Sequence, residues 1–162
     1  MNFKHIKFIR DGLKIECFYE YNSLFKDLLL QYKECYDEAL KDIFLYKIKD
    51  YIKIKYRGYK ILYVPSSKNK IEERGFDHLK EIFSSLNFKE VSGLKMKEEL
   101  NQMGKSFLER KAMENNYIYE GEMLDKVLIV DDVYTTGSSL MGVYKTISPY
   151  TKEVKALVLG KK

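Results

Sequence analysis

Two adjacent carboxylates, Asp131 and Asp132, stand between an apolar run, Val127 to Val130, and a cluster of small residues, Thr135, Thr136, Gly137, Ser138 and Ser139. The apolar run reads as a strand buried on both faces, as in a parallel sheet. The acidic pair then falls at that strand's carboxyl end, where open α/β sheets bind their ligands. A hydroxyl- and glycine-rich turn entering a helix can cradle phosphate, because unpaired N–H groups and the positive end of the helix dipole point at it. Carboxylates beside such a cradle would repel a bare anion. They suit a ligand that carries hydroxyls next to its phosphate, as a ribose 5-phosphate does. A surface turn that merely caps a helix explains the hydroxyls, but not two carboxylates at the end of a buried strand.

The elements that must position this group read as alternating strands and helices. Residues 3–9 and 13–19 alternate as strands around Arg10-Asp11-Gly12, an N-terminal hairpin. Asn22 or Ser23 caps a helix with Leu24, Phe25, Leu28, Leu29 and Tyr32 on its apolar face. The strongest helical period runs from Tyr36 through Ile52, and Gly58 ends it. A short strand over 59–64 closes at Pro65, a helix is expected over 74–86, and a weaker strand over 88–94. The polar stretch 95–116 has little core pattern and reads as a partly helical, flexible loop. A strand at 127–131, a helix near 138–148 stopped by Pro149, and a strand near 154–159 complete the pattern. Together they predict one α/β domain over 1–162 with an open, mainly parallel sheet flanked by helices.

Composition sets outer bounds. The 162 residues suffice for one domain with a sizeable core. No apolar run approaches the ~18 residues of a membrane span, and Met1-Asn-Phe-Lys-His lacks the apolar segment of an export signal. A cytoplasmic protein follows, with Cys17 and Cys35 reduced and buried. The net charge of +5 suits an anionic partner but is equally met by solvated lysine faces. Tyr51 to Lys60 interleaves basic and aromatic residues, so a single strand of nucleic acid is one further reading. An amphipathic helix end running into a strand is the plainer one.

The apolar strand, acidic pair and Thr-Thr-Gly turn resemble the phosphoribosyl diphosphate (PRPP) loop of type I phosphoribosyltransferases. A phosphorylated receiver domain carries a similar acidic pair, but near its chain start and without that turn. Val64-Pro65 followed by Arg74-Gly75-Phe76-Asp77-His78 is similar to the Val-Pro and Arg-Gly-Phe-Asn-Gln stretches of the ComF competence-protein family. Gln102, Glu109-Arg110 and the tyrosine-led entry at Tyr19 agree, so the resemblance covers about residues 18–160. Departures are visible too. Nothing here matches that family's four-cysteine zinc ribbon, Asp77 and His78 replace the usual Asn and Gln, and Met113 stands where an Asn is common.

The resemblance implies roles. Asp131 and Asp132 would hold the ribose 2- and 3-hydroxyls, and Thr135 to Ser139 the 5-phosphate. Ser66, Ser67 and Lys68, with Lys70 as a second cation, would form the diphosphate loop, and Arg74 would clamp phosphate or pair with Glu72 or Glu73. Lys105 and Arg110 would lie on the loop that closes over the diphosphate. Mg²⁺ would arrive with PRPP, with Asp131 and Asp132 as its candidate protein contacts. The hairpin over 1–20 would supply the hood of the acceptor pocket. His78 reads as packing or surface rather than as a base. The implied activity is transfer of ribosyl 5-phosphate to a nitrogen acceptor. The rival is a binding module that acts with competence proteins in DNA uptake or processing.

Overall fold

The computed structural model describes residues 1–35, 37–66, 68–97 and 116–162. Its main sheet has five strands in the order β1-β2-β7-β6-β3. These are β1 (Phe3–Arg10), β2 (Leu13–Glu20), β3 (Lys60–Tyr63), β6 (Leu124–Tyr134) and β7 (Thr151–Lys161). Within this sheet β1 and β2 pair antiparallel, whereas β2 with β7, β7 with β6 and β6 with β3 are parallel. The fold is therefore the expected α/β type, with helices flanking a mostly parallel sheet. A second, two-stranded ribbon joins β4 (Leu94–Met96) to β5 (Tyr117–Tyr119), which the sequence pattern did not announce.

The hairpin turns where Asp11 and Gly12 both take positive φ, +47° and +86°. That pair of left-handed residues matches the right-handed twist of the flanking strands. The hairpin is the edge of the main sheet, since β2 continues into β7. At the centre, Val127, Leu128, Ile129 and Val130 of β6 are fully buried, as are Ala156 to Leu159 of β7. Such double-faced burial is what unbroken apolar strands of a parallel sheet require.

Helix α1 (Ser23–Cys35) starts where the Asn22 side chain accepts from the Phe25 N–H at 2.9 Å. It buries Phe25, Leu29 and Tyr32, whereas Leu24 stays exposed. The long helix expected over 36–52 is broken. In its place stand a 3-10 turn (Glu38–Leu40), α2 (Lys41–Leu45) and α3 (Lys49–Lys55). A physical cause is at hand. The buried Tyr19 hydroxyl donates to the Phe44 carbonyl at 2.9 Å, and the Ile48 N–H bonds Leu45 instead of Phe44. A tertiary hydrogen bond competes there with the helical ladder.

The helix expected from Arg74 begins earlier and is interrupted. Helix α4 (Lys68–Arg74) starts inside the expected loop, and Gly75-Phe76-Asp77 separates it from α5 (His78–Phe83). Asp77 caps α5 by accepting from the Leu79 and Lys80 N–H groups at 3.2 and 3.3 Å. The strand expected over 88–94 shrinks to one bridge, Glu90 against Ile61. The strand expected at 127–131 is longer, so the acidic pair lies within β6 rather than beyond it. Helix α6 (Ser138–Ile147) passes into a 3-10 turn at Pro149. Cys17 is buried as expected, but Cys35, at the exposed end of α1, is not. Among the described residues no helix is long and apolar enough to cross a membrane.

Candidate functional site

Strand β3 leaves the sheet before β6 does. Its last ladder contact is Tyr63 against Val130, followed by the Val64 N–H donating to the Val130 carbonyl at 3.0 Å. Beyond that point β6 runs on alone on this side, and a cleft of about 530 Å³ opens. Its lining brings together Asp131 and Asp132 of β6, Pro65 and Ser66 after β3, Lys70 and Arg74 of α4, and Ser139 at the start of α6. Lys33 of α1, His78 of α5 and Asn116 complete the polar wall.

The two carboxylates differ. Asp131 is half-buried and accepts from the Asp132 N–H at 2.9 Å. Asp132 is 9% exposed and far more engaged. One of its oxygens accepts from the Val133 N–H at 2.6 Å. The other meets both the Lys33 ammonium and His78 Nε2, the latter at 3.0 Å. Burial alone would raise both acids. Burial and the neighbouring Asp132 charge hold the Asp131 carboxyl well above the usual carboxylate range. Burial also opposes ionisation of Asp132, but His78 and Lys33 outweigh it and keep Asp132 ionised. The pair therefore carries about one proton between two positions near neutrality.

Past the acids, Tyr134 and Arg10 build the turn. The Arg10 guanidinium donates to the Tyr134 hydroxyl at 2.8 Å and to the Thr136 carbonyl. Gly137 sits at φ +69° as the residue before α6, and a Cβ there would meet the Tyr134 ring at 2.5 Å and Arg10 Nη1 at 2.6 Å. Glycine is thus required for both conformation and space. Gly137 has no side chain to cap α6, and the Thr136 hydroxyl accepts from the Ser138 N–H at 3.4 Å. Thr136 and Ser138 hydroxyls bond each other at 2.9 Å on the exposed side of the turn.

The expected site residues are not all brought together. Asp131, Asp132, Ser66, Arg74 and Ser139 share the cleft wall, whereas Thr135, Thr136, Gly137 and Ser138 lie along the turn that leads to it. Ser67, Lys105 and Arg110 lie outside the described residues, and of Lys68 only the backbone, as the first residue of α4, is described. Arg74 contacts His78 Nδ1 at 3.3 Å. In the basic and aromatic segment 51–60 of the nucleic-acid reading, Tyr56 and Tyr59 are 1% and 6% exposed and belong to the core, whereas Tyr51 is 37% exposed.

Two residues of the wall escaped sequence reasoning. Lys33 follows core Tyr32 in the last turn of α1, and its partner is 99 residues away. His78 was assigned to packing, yet it joins Arg74 to Asp132. The available signal was a buried-face histidine in a loop order that faces an acidic pair. Among the described residues no three His, Cys, Asp or Glu side chains converge as a cation cage.

No family model matches the chain. It is similar to the Competence protein ComFC of Streptococcus pneumoniae (strain ATCC BAA-255 / R6), with 27% identity over 151 residues, 91% of this chain and 68% of that protein. This likeness over most of the chain supports the ComF-type resemblance carried by Val64-Pro65 and Arg74 to His78.

Proposed function

We propose that the protein binds Mg-PRPP in this cleft and transfers its ribosyl 5-phosphate to a nitrogen acceptor, releasing diphosphate. One observation carries the reading. An acidic pair at the carboxyl end of a central strand shares a cleft with a basic helix face, Lys70 and Arg74, and with the start of α6. A ligand with vicinal hydroxyls flanked by phosphates matches that order of charges.

In this reading Asp132, ionised, accepts a hydrogen bond from one ribose hydroxyl. Asp131, carrying the shared proton, both donates to and accepts from the other. The 5-phosphate lies against the N–H groups at 137–139, where Gly137 lets the backbone come close. Lys70 and Arg74 face the diphosphate and stabilise its charge as it departs. The C1–oxygen bond to diphosphate breaks, the C1–nitrogen bond forms, and the acceptor nitrogen sheds a proton to solvent. An oxocarbenium-like transition state asks for positioning more than for acid–base work on the sugar. Mg²⁺ fits the donor set, since it binds through one or two carboxylates plus phosphate oxygens; when bound it would neutralise the diphosphate, and a contact with Asp131 would displace the shared proton.

The relative's name supports a competence-related role for this chain. A second reading, a PRPP- or nucleotide-binding module without turnover, is favoured by one feature. Asp132 is already held by Lys33 and His78, an arrangement that stabilises a bound state as readily as a reacting one. Incubation with Mg-PRPP and a panel of nucleobases separates the two. Diphosphate release that stops in Asp132→Asn supports transfer. Binding without release for any acceptor supports the module.

A further inference from the structure

His78 joins two elements that the chain otherwise keeps apart. Its ring is 4% exposed, so its two nitrogens depend on protein partners rather than on bulk water. Nδ1 stands 3.3 Å from Arg74 Nη1 at the end of α4, and Nε2 stands 3.0 Å from Asp132 Oδ2 on β6. A guanidinium can only donate. Contact with it therefore requires a lone pair on Nδ1, and the ring's hydrogen must then sit on Nε2, where the carboxylate accepts it. Both contacts are satisfied at once by the neutral Nε2–H tautomer, and by no other form of the ring.

We infer that His78 is a positioning residue, locked as the Nε2–H tautomer, that sets the distance between the Asp132 carboxylate and the Arg74 guanidinium. Applied to the site, this rests on the Mg-PRPP reading: the carboxylate meets the ribose and the guanidinium meets the diphosphate, so the histidine gauges the ligand's length. The ring is itself well anchored. Its residue opens α5, whose start is capped by Asp77. Its carbonyl accepts from the Tyr32 hydroxyl at 3.3 Å. Leu79, Ile82 and Phe83 bury the rest of that helix. Among the described residues the other charged groups lining this cleft are Lys33, on the same Asp132 oxygen, Asp131 beside it and Lys70 of α4. Through the histidine Arg74 is joined to Asp132.

The chemistry also says which side chain can replace it. Glutamine carries a donor and an acceptor on one planar group and can serve both partners; alanine serves neither. Two measurements test this. In ¹⁵N-labelled, ligand-free protein, with His5 assigned through His5→Gln, the His78 ring is expected to show a protonated Nε2 and a bare Nδ1. In Arg74→Ala the Nε2 proton should stay in place, because the Asp132 carboxylate still accepts it. A protonated Nδ1 in the native protein, or an Nε2 that loses its proton in Arg74→Ala, overturns the inference. Calorimetry with inorganic diphosphate and with ribose 5-phosphate gives the second test. His78→Ala should weaken both by about tenfold, the scale of one lost charge-assisted bond, while His78→Gln stays within about threefold of native. Equal losses in the two variants, or none in alanine, contradict a positioning role. If native protein binds neither compound, the PRPP reading fails and the NMR result alone decides for or against the tautomer lock.

Discussion

Glu16 and Asp132 are both buried carboxylates that meet one lysine and one histidine, and the contrast between them is instructive. Glu16, on β2, accepts from Lys55 on one oxygen and from His5 and the Tyr51 hydroxyl, each at 2.9 Å, on the other. Its charge is matched, and no second acid stands beside it. Although burial pushes it up, those three donors bring its pKa down to about 2. Asp132 has Lys33 and His78, but Asp131 sits next to it and the cleft opens in front. One site closes its own electrostatics; the other leaves a surplus acid facing an open space. Unfinished electrostatics of that kind mark a place for a ligand.

The largest expected effect falls on binding. Asp131→Asn with Asp132→Asn should weaken Mg-PRPP by about a hundredfold, one charge-assisted contact and one neutral one being lost. Glu16→Gln should leave that affinity within about twofold, as expected for a distant, independent site. Calorimetry on both variants checks it, and equal losses would erase the contrast.

Stability should sort the two sites the other way. Glu16→Gln leaves the Lys55 ammonium with the Tyr51 hydroxyl but without its counter-charge, and is expected to cost about 2 kcal/mol in urea unfolding. Asp131→Asn keeps an acceptor for the Asp132 N–H and removes the cost of holding that acid protonated in the fold, so it should raise stability by about 1 kcal/mol. A loss on Asp131→Asn would mean that the acid serves the fold.

The pH dependence sharpens this further. The folded-state pKa of Glu16 is depressed, so its contribution is present above the unfolded value near 4.5 and disappears as pH falls towards about 2. Asp131 is raised when folded, so stability declines as pH climbs above the ordinary carboxylate range towards neutrality. Melting temperatures across pH should lose the acid-side slope in Glu16→Gln and the neutral-side slope in Asp131→Asn. Each change should amount to several degrees.

How much of this could be read from residues alone depended on range. The hairpin was legible because Asp11-Gly12 fixes its own turn, and β6 because Val127 to Val130 is apolar throughout. The order of loops placed Ser66 and Asp131 at one sheet edge, since β3 and β6 had to be parallel. What escaped was decided across the chain. The period of 36–52 favours one helix, but Tyr19, 25 residues from Phe44, takes a carbonyl out of the ladder. The weak alternation at 88–94 became a single bridge because β3 offers that neighbour only Ile61. Lys33 and His78 reach Asp132 over 99 and 54 residues, and no local pattern encodes such a meeting.

The smallest effect concerns the two thiols. Cys17, buried and raised above the usual thiol range by desolvation, should resist a thiol reagent until the protein unfolds. Cys35 should react at once. Two fast thiols in native protein would mean that the pairing of β2 with β7 opens readily.

The central claim is that the Asp131–Asp132 cleft receives a phosphorylated ribose. A crystal structure with Mg-PRPP tests it most directly. The account expects the ribose 2- and 3-hydroxyls on Asp131 and Asp132, the 5-phosphate on the backbone at 137–139, and the diphosphate turned towards Lys70 and Arg74. Ligand bound elsewhere with the Lys33–Asp132–His78 contacts undisturbed, or its phosphates reversed in this cleft, would contradict it.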